Sequence, residues 1–129
     1  MKEKADYIAY RLNRAQDALE SADLLVSHKR YNAAINRFYY AAFYAVIALL
    51  LKDGIEAKTH AGTRKQFSLR YIKSGVIDKQ YSKLYSDLLA WRERVDYGDV
   101  ISFTEEEIKA VIQPTKQLVD RIIIEIEKV

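Results

Sequence analysis

The chain has no cysteine, a single proline and four glycines among its 129 residues. The missing cysteines exclude disulfides, thiolate metal sites and cysteine nucleophiles together, and they fit a reducing compartment. His28 and His60 are the only two histidines. They fall in different connections with no paired metal-ligand spacing, so neither a metal nor another cofactor is expected. No serine stands in a nucleophile-elbow setting, and the glycines do not make the full pattern of a phosphate loop. No segment alternates apolar and polar residues as a half-buried strand would, and there is no internal repeat, low-complexity tract or linker. The opening Met-Lys-Glu-Lys-Ala-Asp leads into an amphipathic pattern rather than an apolar run with a small-residue cleavage site. A secretory leader is therefore not expected, and the cytoplasm is the expected location.

What the chain does contain is apolar residues, half of the total, and 21 basic against 18 acidic side chains for a net charge of +3. That composition is globular and leans slightly toward an anionic partner. The length suits a single domain over residues 1–129 with a core that needs no staples. The segment from Ala33 to Leu51 resembles a membrane span, but its uninterrupted part, Phe38 to Leu51, is shorter than the roughly 20 residues a bilayer requires. It reads as a buried central helix, with no membrane expected.

Apolar periodicity predicts five helices in one compact bundle. Ala5, Ile8, Leu12, Ala15, Leu19, Ala22 and Val26 recur in steps of three and four and mark helix 1 over about 3–27. Asn32 is expected to cap helix 2, which reaches about Lys52 and closes at Gly54. A short helix 3 spans about 61–73. Helix 4 follows over about 79–95, with Tyr81, Leu84, Leu88, Trp91 and Val95 inward. Helix 5 opens at Thr104, which stands at capping-box spacing from Glu107, and Pro114 is expected to kink it.

Several residues on this frame could carry chemistry. Arg92 lies one turn after Leu88 and borders the buried face, where a charge needs a partner or a ligand. Asp96, four residues on, supplies the structural partner in a plain ion pair. Asn36, beside Arg37 in the apolar helix 2, could bond across to Arg92 or be satisfied by water. His60 enters helix 3 next to Arg64 and Lys65, an arrangement that can hold a phosphate, although a lone histidine in such a place is more often a cap or a surface residue. The many tyrosines read first as a helix interface and second as a stacking platform for a nucleotide.

Taken in order, Tyr31-Asn32-Ala33-Ala34, Arg37-Phe38-Tyr39-Tyr40-Ala41-Ala42-Phe43, Ala48-Leu49-Leu50, His60-Ala61-Gly62 and Arg92-Glu93-Arg94-Val95-Asp96-Tyr97 resemble the HEPN domain, specifically its small stand-alone group, over essentially the whole chain. The resemblance implies an all-α antiparallel bundle of four long helices plus a short one. It also implies a homodimer and a minimal nucleotidyltransferase encoded nearby as the other half of a toxin–antitoxin pair. Many such domains are metal-independent ribonucleases whose signature is an arginine followed, after four to six residues, by a histidine. Arg92 takes the arginine's place, but Tyr97, Gly98 and Asp99 fill the places where the histidine belongs. A tyrosine hydroxyl with its ordinary pKa near 10 is ionised to about one part in a thousand at pH 7, and so makes a poor general base. The leading expectation is a module that binds a nucleotide or RNA phosphate through Arg92, Arg94, Asn36, Arg64 and Lys65, and that docks its partner. The alternative is a ribonuclease with a diverged site in which Arg92 works with His60 or Tyr97. A tyrosine that accepts a nucleotidyl group from the partner is a further implication, and the offset of Tyr97 from Arg92 does not match it.

Overall fold

The computed structural model describes residues 2–97 and 102–128. Their elements are α1 (Lys2–Ser27), α2 (Tyr31–Lys52), α3 (His60–Phe67), α4 (Gln80–Asp96) and α5 (Glu105–Glu127), and α3 runs on through a π-helical turn, Ser68–Ile72. There is no strand among the described residues. The fold is an all-helical bundle of four long helices and one short one, as the periodicity predicts. Gly98 and Asp99, which complete the signature gap, lie outside the described residues.

α2 is the centre of the bundle, packed against α1, α3, α4 and α5. It is long and apolar enough to cross a membrane by length and composition, but its apolar residues are spent on the bundle. Ile35, Phe38, Val46 and Leu50 are fully buried, each worth roughly 1.5–3 kcal/mol for a large side chain. Ala34, Ala41, Ala42, Ala45 and Ala48 have no exposed surface and let neighbouring helices approach closely. Ala33, where the apolar segment begins, is exposed.

The connections explain where the first two helices stop. Two helices end in paired carbonyl-capping bonds. After α1, Arg30 N–H donates to Leu25 O at 2.8 Å and Lys29 N–H to Val26 O at 2.9 Å, with Lys29 held at φ 60°. After α2, Ile55 N–H donates to Leu50 O at 2.9 Å and Gly54 N–H to Leu51 O at 3.0 Å, with Gly54 at φ 77°. Both are Schellman-type ends whose penultimate residue must be left-handed. Glycine takes that conformation without strain, and lysine does not.

Asn32 departs from its expected role. α2 begins at Tyr31, so Asn32 lies inside the helix, and its side-chain oxygen accepts from Phe103 N–H at 3.2 Å. It therefore ties α2 to the segment that leads into α5. The N-terminal cap the sequence leaves unassigned is Thr59, whose hydroxyl accepts from Gly62 N–H at 2.9 Å. A Cβ at residue 62 would stand 2.9 Å from that oxygen, a close contact that glycine avoids. α5 has the predicted capping box: Glu107 N–H donates to Thr104 Oγ1 at 3.1 Å, and Thr104 N–H donates to Glu107 Oε1 at 3.0 Å. Pro114 sits inside α5, which continues through it as one element.

Candidate functional site

Asn36, Tyr39, Tyr40 and Phe43 recur at i, i+3, i+4 and i+7, so they share one face of α2. That face meets Arg92 from α4 and His60 from the first turn of α3. Arg92 is drawn into it: its side chain is only 13% exposed, and its Cζ lies 5.2 Å from the Tyr39 ring centroid and 5.8 Å from that of Tyr40. At such distances a ring's negative face attracts a guanidinium by about 0.5–2 kcal/mol. The terminal nitrogen donates to Asp96 Oδ2 at 3.1 Å and, at a long 3.4 Å, to the Tyr40 hydroxyl. Nε is buried with no acceptor among the described residues. The cation is therefore positioned by aromatic faces and one carboxylate, with its hydrogen-bonding capacity only partly used.

Asn36 does not supply the expected bond to Arg92. Its amide oxygen accepts from Arg37 instead, Nε at 3.0 Å and a terminal nitrogen at 2.8 Å. The adjacent residue can fold back on it, whereas Arg92 reaches the tyrosine rings first. Arg37 in turn places its Cζ 5.2 Å from the Tyr40 ring centroid, so this one ring is in reach of two guanidinium groups.

His60 belongs to the same cluster. Its Nδ1 is hydrogen-bonded to the Tyr39 hydroxyl at 2.6 Å, and its ring lies 4.6 Å from that of Phe43 and 6.0 Å from that of Tyr40, centroid to centroid. Burial holds the imidazole below its ordinary pKa of 6.5 and the Arg92 charge adds to this, against a smaller opposing pull from Glu93 and Asp96. Burial also raises the Tyr39 hydroxyl well above the usual tyrosine range. Tyr39 thus stays protonated and His60 neutral at pH 7, linked by a bond whose donor is set by the imidazole tautomer.

The other sequence candidates lie apart. Tyr97 follows the last turn of α4 with 84% of its surface exposed. Arg94 is exposed on the same helix. Arg64 and Lys65 project from α3 into a separate groove, and Arg64 approaches Ser86 Oγ at 3.4 Å. Among the described residues no group of three or more His, Asp or Glu side chains could hold a metal ion. Sequence reading missed Tyr39, Tyr40, Phe43 and Arg37 as members of a site. The available signal was the shared α2 face, since three aromatics and an amide recur there at helical spacing.

A helical bundle with an arginine–aromatic–histidine cluster between its second, third and fourth helices defines a small α-helical module built around a buried cation. The comparisons identify which one. The HEPN domain family model matches residues 8–126, and the chain belongs to the HEPN family. It is 37% identical over 122 residues to a UPF0332 protein of Thermotoga maritima, covering 95% of this chain and 92% of that one. It is also 35% and 31% identical to two Methanocaldococcus jannaschii proteins, each named "Putative toxin". These matches cover 84% and 78% of this chain, and 80% and 69% of theirs.

Proposed function

We propose that this protein is the HEPN half of a toxin–antitoxin pair with a minimal nucleotidyltransferase. It works in the cytoplasm as a homodimer of single-domain chains and holds a phosphate of RNA or of a nucleotide at the Arg92–His60 cluster. The observation that carries the reading is the placing of Arg92: a guanidinium seated on two tyrosine rings, incompletely bonded, beside a neutral imidazole. A fixed cation with spare donors is suited to an anionic oxygen. The toxin-named relatives support a pairing with an antitoxin in general. The family resemblance supplies the nucleotidyltransferase as the partner, and co-purification of the two chains from a common expression host tests it.

A second reading, metal-independent RNA cleavage, is favoured by one specific observation. His60 shares Tyr39 with Arg92, so a histidine from α3 stands beside the signature arginine although none follows that arginine at the familiar spacing. With Nδ1–H donating to Tyr39, Nε2 of the neutral ring offers a lone pair that could take the proton of a 2′-hydroxyl, while Arg92 stabilises the phosphate oxygens. Incubating an end-labelled RNA pool with the purified chain in EDTA decides between the readings. Cleavage leaving cyclic-phosphate ends, lost by more than a hundredfold in both Arg92→Ala and His60→Ala, establishes the ribonuclease. RNA binding that Arg92→Ala weakens, with no cleavage above that variant's background, establishes the binding module.

A further inference from the structure

A groove between α3 and α4 lies beside the cluster and belongs to none of its contacts. It encloses about 470 Å³ and is lined by Arg64, Lys65 and Lys73 with the hydroxyls of Ser68, Ser82 and Ser86. Every polar side chain in that lining offers a hydrogen-bond donor and none is a carboxylate. None of the three cations has an ion-pair partner among the described residues, whereas Lys83 nearby on α4 is held by Asp87 at 2.7 Å. Unpaired cations and hydroxyls gathered around a concavity make a site for anionic oxygens. Leu69, which also lines the groove, is 44% exposed and adds an apolar surface on which a flat ring can rest.

The groove also leads somewhere. A second concavity of about 270 Å³ shares Ala61, Arg64 and Ser86 with the first and extends along α4 to Glu93, the residue next to Arg92. The two hollows adjoin along these shared residues, and their combined lining extends from Lys73 to Glu93, the one carboxylate among their lining residues. A mononucleotide would fill one end of such a path, while a strand carrying a charge on every residue would follow it.

We infer that the α3–α4 groove is a second phosphate subsite, which takes the flanking phosphodiesters of a single-stranded RNA whose central phosphate lies at Arg92. The ligand of this protein is then an oligonucleotide rather than a free nucleotide. This inference rests on the reading of Arg92 as the central anion site. Each phosphate neutralised on a single strand contributes about 0.7 to the dependence of log affinity on log salt, so removal of two groove cations has a signature that misfolding does not imitate.

The test titrates the full chain, Arg64→Ala/Lys73→Ala and Arg92→Ala with a fluorescein-labelled 2′-O-methyl oligoribonucleotide of mixed sequence at several salt concentrations, with AMP as a second probe. The modified strand has no free 2′-hydroxyl and cannot be cut. The expected result for the double variant is an affinity loss of about tenfold for the strand, a salt slope shallower by about 1.4, unchanged affinity for AMP and an unchanged thermal midpoint. Arg92→Ala is expected to weaken both probes. Strand affinity and slope unaltered in the double variant, with Arg92→Ala still weakened, would overturn the groove and leave the Arg92 reading standing. A wild-type chain that binds no strand at all overturns both.

Discussion

At the scale of single residues, the cluster depends on protonation states that the surroundings impose. His60 is held below pKa 6.5 mainly by burial. The unfolded chain then takes up a proton more readily than the folded one, so stability from the neutral ring is complete above about pH 6.5 and is lost as pH falls through the lower folded value. Urea midpoints for wild type and His60→Gln at pH 7.5, 6.0 and 5.0 should therefore converge toward acid. A gap between the two proteins that does not change with pH would count against this account. If His60 serves as a base, cleavage should rise with pH through a pKa below 6.5 and then level off, and Tyr97→Phe should leave the rate within about twofold, because Tyr97 stands in solvent. Arg92 and Asp96 were legible as an ion pair because both lie on one helix at i,i+4. The roles of Tyr39 and Tyr40 were not, since a tyrosine in an apolar helix shows nothing of the helix that packs against it. The Asn36–Arg92 bond failed for the same reason: sequence gives the polar atoms but not which neighbour is nearer.

At the scale of elements, all five helices were legible, because 3.6-residue periodicity and end signals agree along the chain. The exceptions came where two signals compete. Asn32 has the chemistry of a cap, but α2 opens at Tyr31, and the amide is used in a tertiary contact instead. The capping box of α5 should be worth about 1 kcal/mol, so Thr104→Ala should lower the chemical-denaturation free energy by that amount without changing the m-value. Lys29 provides the opposite case. It is a non-glycine residue at φ 60°, and the left-handed conformation costs an ordinary side chain roughly 1–2 kcal/mol. Lys29→Gly, partly offset by the greater freedom of glycine in the unfolded chain, should raise stability by about 0.5–1 kcal/mol in the same assay.

Across the whole molecule, the apolar composition already implied one buried layer around α2, and the core is a single cluster drawn from α1 through α5. Phe38 is fully enclosed in it, and Phe38→Ala should cost about 3–5 kcal/mol, measurable by denaturant unfolding. Long-range polar ties between elements were illegible. Lys52 illustrates this: its ammonium donates to the carbonyls of Glu125 and Lys128, both at 2.8 Å, closing the end of α5, while Lys4 donates to the carbonyl of Lys52 at 2.7 Å. Nothing in the local sequence announces a lysine from α2 as the cap of a helix some seventy residues later. The joint hold on α1, α2 and α5 lies at the end of α2 away from Asn36.

The π-helical turn that prolongs α3 has an evolutionary meaning. It is closed by Lys73 N–H donating to Ser68 O at 2.9 Å, a five-residue step that accommodates one residue more than an α-turn. Loss of a single residue there would restore ordinary helix and leave the flanking segments aligned, so that only the turn itself is reshaped. The same loss within α4 would rotate everything beyond it by about 100° and carry Arg92 away from its tyrosines. Ser68–Ile72 is thus where the lineage could lengthen or shorten by one residue and keep its arginine in place, and homologues differing from this chain by a single insertion are expected to carry it here.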